Sequence, residues 1–295
     1  MRIYDCTTFY SEHMMMDVRF NVLNDYVHKF IVVESLFSHS GEKKKLNFDI
    51  NNYPKFKDKI IYLVIDKEAE DIILNKDQLK YQSTKRHNSL KRIHQSYNYM
   101  LHGIKEASDN DLIILSDNDE IPNLGSKQFQ NSKKELFIFK QLFFYYKFDL
   151  LYDLIPWFGS KACTKKKLKS FEWLRNIKNK KYPLWRLDTY FSELKNINLE
   201  IISDGGWHFT NIKTPSDLFL KMKNFGHHDE FDVSGLKLED ISQKIKNKIV
   251  FYNHSLDQSN QDKWNYDYKL KKIDHKFLPN HLTNNIEQYK EWFDL

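Results

Sequence analysis

Through its first half the chain alternates short apolar runs with longer segments whose apolar residues recur every three or four positions. The runs at 2–6, 30–34, 60–65 and 112–115 have the length and branched side chains of buried strands, whereas 14–26 and 78–107 carry helical spacing. Alternation of this kind predicts an α/β fold in which a mostly parallel twisted sheet is flanked by helices, the longer helix crossing one face. After Pro122 the pattern changes. Residues 135–150 form an aromatic stretch, Phe137-Ile138-Phe139 followed by Phe143-Phe144-Tyr145-Tyr146, which fits strands packed into a core; a platform for sugar rings is the lesser reading. Helical spacing returns at 217–225 and 238–248. One domain with a helical C-terminal extension packed on it is expected.

Composition narrows this picture modestly. The 295 residues are 41% hydrophobic and 15% aromatic, with only six Pro and eight Gly, so the whole chain is expected to fold. The net charge of +6 is a small excess of 46 basic over 40 acidic side chains, which permits a polyanionic partner without demanding one. No nucleic-acid-binding module is recognisable, and nucleic acid is not an expected partner. Lysines cluster at Lys43 to Lys45, Lys165 to Lys169 and Lys178 to Lys181; such runs are usually solvated faces, and otherwise attract phosphates or an anionic membrane surface. Cys6 and Cys163 have no Cys or His neighbour at metal or redox spacing, which fits a reduced protein. Asp5 stands where a signal peptide would be apolar, and no apolar run reaches spanning length, so the expected location is cytoplasmic, at most peripheral to the inner face of a membrane.

The most informative segment is Asp111-Leu-Ile-Ile-Leu-Ser-Asp117-Asn-Asp119-Glu120-Ile-Pro122, an apolar strand that runs into three carboxylates and is stopped by proline. A buried parallel strand delivers its last residues to the crevice at the sheet's carboxyl edge, where α/β proteins bind ligands. Three carboxylates so close together repel, and a divalent cation is the simplest compensation; oxygen ligands favour Mg²⁺ or Mn²⁺. Such a cation can neutralise a diphosphate leaving group. A second segment, Asp204-Gly205-Gly206-Trp207-His208-Phe209-Thr210, pairs glycines that allow a tight turn or close approach with an imidazole able to complete a metal shell; a structural histidine is the plainer reading.

Four segments resemble glycosyltransferase family 17, the relatives of β-1,4-mannosyl-glycoprotein 4-β-N-acetylglucosaminyltransferase. They are Ile3 to Cys6 with Asp17 to Leu23; Phe30 to Ser35 with Ser40-Gly41 and Lys43 to Leu46; Ser116 to Pro122, similar to the family's "DxDEIP"; and Gly206 to Thr210, similar to "GWHFS". Tyr97-Asn98 departs from an Arg-Asn pair common in bacterial members. The resemblance spans about residues 1–232 and implies a GT-A fold there, with 233–295 as the helical extension packed on it, a UDP-sugar donor such as UDP-GlcNAc, a glycan or lipid-linked glycan acceptor, a divalent metal and inversion at the anomeric carbon. It places Asp5, Glu34, Arg92, Asp117 and Trp207 near the donor, and Asp117, Asp119 and His208 around the metal. The general base is sought among Glu120, Asp204 and Glu230. The competing readings are a phosphatase of the haloacid dehalogenase type, whose apolar strand also ends in Asp-x-Asp, and a non-enzymatic glycan-binding or nucleic-acid-binding protein.

Overall fold

In the computed structural model, residues 1–74, 81–183, 185–195, 198–224, 231–232, 234–256, 261–264 and 266–295 are described. The first βα unit is β1 (Ile3–Phe9) and α1 (His13–Leu23), followed by β2 (Lys29–Ser35) and β3 (Ile60–Ile65). The long helix α2 (Tyr81–Met100), extended by a 3₁₀ turn over Leu101–Ile104, leads to β4 (Leu112–Leu115) and β5 (Glu120–Pro122). Next come α3 (Lys127–Gln130), β6 (Leu136–Tyr145), β7 (Leu150–Leu151), β8 (Trp157–Thr164), α4 (Phe171–Asn176), β9 (Glu200–Ile202) and β10 (Gly206–Thr210). The remainder is α5 (Pro215–Asn224), α6 (Leu238–Lys246), β11 (Ile249–Val250), β12 (Tyr268–Lys269), β13 (Lys271–Lys272) and α7 (Asn280–Asn284).

The main sheet runs in the order β13-β7-β6-β8-β4-β1-β2-β3. Its β3-β2-β1-β4 half is wholly parallel. Beyond β4 it is mixed, because β8 enters antiparallel to both β4 and β6, while β9 and β10 each pair with β6 in parallel. Period-two alternation explains how both faces are filled. In β2, Phe30 and Val32 face α1, whereas Ile31 and Val33 face α2. The α1 face holds Met15, Met16, Val18, Phe20 and Leu23, and is closed by Leu278, Leu282, Tyr289 and Phe293 from the chain's end. The other face buries Tyr97, Met100 and Ile104 with Phe171 and Leu174 of α4.

A third apolar cluster covers the far end of β6. Phe143, Tyr145 and Tyr146 pack there with Leu218 and Met222 of α5, Ile241 of α6, and Val250 and Phe251. The aromatic stretch is therefore core strand. The C-terminal segment returns to the main sheet through β13, which pairs antiparallel with β7.

Candidate active-site cleft

β4 is buried along its whole length and releases the chain at Ser116, whose hydroxyl bonds the Ser160 hydroxyl at 2.7 Å. The turn that follows is fixed from below by Arg19. This fully buried guanidinium bonds the Asp5 carboxylate (Nε to Oδ2, 2.7 Å) and donates to the carbonyls of Glu120 (2.6 Å) and Asp117 (3.3 Å). Asp5 thus does not line the cleft and holds the guanidinium that holds the loop. Glu120 turns inward. Its Oε1 accepts from the Trp157 indole at 3.0 Å and its Oε2 from the Asp117 amide at 3.1 Å. Burial, and next the nearby Asp117 charge, push its carboxyl above the ordinary range. Gly159 makes room for it, since a Cβ there would stand 2.7 Å from the Glu120 carboxyl carbon.

Asp117 and Asp119 turn outward into a cleft of about 530 Å³. Asp117 is paired with Arg175, from α4, at 2.7 Å. Asp119 faces the His208 imidazole (Oδ1 to Nε2, 3.5 Å) and Lys221 (3.8 Å). Burial opposes its ionisation, but the charge and hydrogen bond of His208, with Lys221 behind, hold the carboxyl well below the usual range. The imidazole packs against both Trp157 and Phe143, with ring centroids at 4.2 and 4.6 Å, and these two rings also touch each other at 4.8 Å. Its Nδ1 is buried with no hydrogen-bond partner among the described residues.

His208 reaches this position because of the glycines before it. Gly206 has φ of +109°, and a Cβ on it would stand 2.2 Å from the Ile121 carbonyl; only glycine lets β10 lie this close to β5. The pair serves close strand packing and does not line the cleft. Trp207 points the other way and donates to the Phe277 carbonyl at 2.7 Å.

The remaining expected residues divide in the same way. Glu34 is buried away from the cleft and accepts from Lys44, the Tyr62 hydroxyl (2.7 Å) and the amides of Asn47 (2.8 Å) and Phe48 (3.0 Å), so it pins the loop after β2. Arg92 lines the cleft, but its guanidinium is held by Glu68 at 2.9 and 3.0 Å. Asp204 is exposed on the β9–β10 turn, bonded to Asn123 at 2.9 Å, and does not line the cleft. Glu230 lies outside the described residues. Sequence reading missed Glu12, Arg175, Lys221, His254 and Trp264, all of which line the cleft. Glu12 accepts from Asn118 at 2.7 Å; although burial opposes ionisation, Lys213 and Lys221 keep it charged. His254 bonds the Tyr145 hydroxyl at 3.1 Å, and burial, followed by His208 and Lys263, lowers its imidazole to about 3.

The expected metal shell is brought together in part. Asp119 and His208 converge while Asp117 is taken by Arg175, and among the described residues no three His, Cys, Asp or Glu side chains form a metal-binding group. Two donors 3.5 Å apart still suit a Mg²⁺ or Mn²⁺ ion, because adjacent ligands of an octahedral ion with bonds of about 2.1 Å stand about 3 Å apart and substrate phosphates and water usually complete the shell. Around this pair the cleft is rich in cations, with Lys44, Arg86, Arg92, Arg175, Lys221 and Lys263 against Glu12, Asp117 and Asp119.

A model of the family described as Glycosyltransferase family 17 matches residues 1–167. No curated protein matches the chain. Among solved structures, the inositol-1-phosphate CTP transferase from T. maritima is similar at 10% identity and a TM-score of 0.34, with 76% of this chain and 96% of that chain covered.

Proposed function

The chain belongs to glycosyltransferase family 17, and from that premise we propose that the cleft carries an inverting, metal-dependent transfer of a sugar, GlcNAc by the family resemblance, from a UDP-sugar to a glycan hydroxyl. Membership sets aside the phosphatase and non-enzymatic readings. The observation that carries the proposal is the convergence of Asp119 and His208 inside a cation-lined cleft at the carboxyl edge of a parallel half-sheet. We read that half-sheet as the nucleotide-binding part of a GT-A fold.

In this reading Asp119 and His208 would hold Mn²⁺ or Mg²⁺, and the ion would neutralise the charge that develops on the UDP leaving group. The chain's own residues do the rest. Arg175 fixes Asp117 for the donor's ribose, Trp157 and Phe143 keep the His208 ring from rotating, and Lys221 adds positive charge beside the diphosphate position. Trp157, Tyr252 and Trp264 offer the acceptor's sugar rings apolar faces to stack on. Glu120 and Asp204 do not reach the cleft, so we assign the base that takes the acceptor hydroxyl proton to Glu230. The acceptor is a glycan or lipid-linked glycan, met at a membrane surface.

A screen of UDP-, GDP- and CMP-sugars for nucleotide release, with and without Mn²⁺, tests the reading. Mn²⁺-dependent release of UDP alone is expected. Release of GDP or CMP instead, or equal release in EDTA, would overturn it.

A further inference from the structure

Between α4 and β9 the described residues carry four large apolar side chains into solvent. Trp185 is 76% exposed, Leu187 73%, Tyr190 61% and Phe191 90%. Single exposed apolar residues are ordinary, but four within seven residues are a concentrated patch. The segment holding them is built. Its root is fixed by the Lys178 amide to the Leu194 carbonyl (2.9 Å) and by the Trp173 indole to the Glu193 carbonyl (2.8 Å). Its tip is a 3₁₀ turn over Leu187–Thr189, in which Asp188 accepts from Arg186 (2.6 and 2.7 Å) and from Lys195 (2.6 Å). The tip's carboxylates are thus answered locally, Glu193 by Lys169 at 3.0 Å, while the exposed Lys178, Lys180 and Lys181 add positive charge at the root.

We propose that this loop docks the protein on an anionic phospholipid surface, with Trp185 and Phe191 entering the headgroup boundary and Lys178, Lys180 and Lys181 meeting lipid phosphates. Aromatic side chains together with lysines suit the membrane interface, where a ring is buried while cations remain at the charged surface. A protein partner fits less well, because lysine is depleted in protein interfaces. A second copy fits less well too, since a symmetric dimer would press the same lysines against one another. The loop begins just after α4, whose Arg175 reaches Asp117 in the cleft, so docking would bring the cleft to the lipid surface. The inference deepens the proposed function by making the acceptor lipid-linked, yet docking and transfer are read by different assays.

The test is flotation of the full chain with vesicles of phosphatidylcholine alone and with about one third phosphatidylglycerol, at low salt and at about 0.5 M salt. Retention on the anionic vesicles, weakened by salt, is expected. The double variants Trp185→Ser/Phe191→Ser and Lys180→Glu/Lys181→Glu should each lower retention about tenfold or more. Both should keep native circular dichroism and wild-type UDP release from soluble donor, because none of the four residues lines the cleft. Equal retention on neutral vesicles, or unchanged retention in either variant, would overturn the proposal. So would absence of vesicle binding together with a dimer that Trp185→Ser/Phe191→Ser dissolves, which would make the patch an interface between copies. Loss of UDP release with docking intact would instead count against the transferase chemistry.

Discussion

At the residue scale, the Asp5–Arg19 pair carries more of the site than its position suggests. Four carboxylates of the first and third matching segments that were expected at the site, Asp5, Asp117, Asp119 and Glu120, could not be sorted by residue type. Burial sorts them: Asp5 and Glu120 serve the scaffold, and Asp117 and Asp119 serve the cleft. Arg19→Met would leave Asp5 charged and unpaired in the core and release two carbonyls of the loop, and should cost about 3–5 kcal/mol in denaturant unfolding. A cost near zero would mean that the pair is dispensable. His254 gives a pH signature. Its folded imidazole titrates at about 3, whereas the unfolded chain takes up that proton near the ordinary value of about 6.5. Between those values the unfolded state binds more protons, so stability falls as pH falls, by at most about 1.4 kcal/mol per pH unit from this group. His254→Gln should flatten the urea midpoint over that window, and an unchanged slope would contradict the assignment.

At the element scale, what was legible is the part where hydrophobic period and sequence order agree. The strands at 60–65 and 112–115 stand where the apolar runs put them, and β1 and β2 extend the runs by a few residues. The helix expected over 78–107 is observed as Tyr81–Met100 with a 3₁₀ turn after it, among the described residues. β8 and α4 were not legible. Trp157–Thr164 contains Gly, Ser and Lys and shows no apolar run, because its burial comes from pairing with β4 and β6 on either side. Lys161 within it is buried, donates to the carbonyls of Arg175 (2.7 Å) and Ile177 (2.6 Å), and is lowered by burial to about 8. No local pattern announces a lysine that caps a helix from a neighbouring strand, and with α4 unseen Arg175 was unseen too. The glycine pair was visible, but its reason was not. Gly206→Ala should cost about 1–3 kcal/mol and reduce activity with it, since the added carbon strikes the Ile121 carbonyl and shifts the strand bearing His208. Gly235, also at positive φ (+70°) but with nothing within 4 Å of an added carbon among the described residues, is the control. Its alanine variant should cost about 1 kcal/mol and leave turnover intact. Equal losses of activity would mean that backbone strain, and not the approach to β5, governs the first variant.

At the scale of the whole molecule, the family match ends at residue 167, while much of the cleft's wall comes later, from His208, Lys221, Tyr252, His254 and Trp264. The matched part therefore supplies Asp117 and Asp119, while the side chains that face them, Arg175, His208 and Lys221, come from beyond it. A single displacement on an α-linked donor gives a β-linked product, which NMR of the product's anomeric proton reads directly. Glu230→Gln should lower turnover about a hundredfold or more with donor affinity kept, whereas Asp204→Asn should change neither. The central claim, that Asp119 and His208 anchor a metal-bound nucleoside diphosphate, is tested most directly by calorimetric titration of UDP into the full chain. The account predicts binding in Mn²⁺ that disappears in EDTA and in Asp119→Ala, with the native circular dichroism of the variant kept. Binding of UDP with the same affinity in EDTA, or in Asp119→Ala, would contradict it.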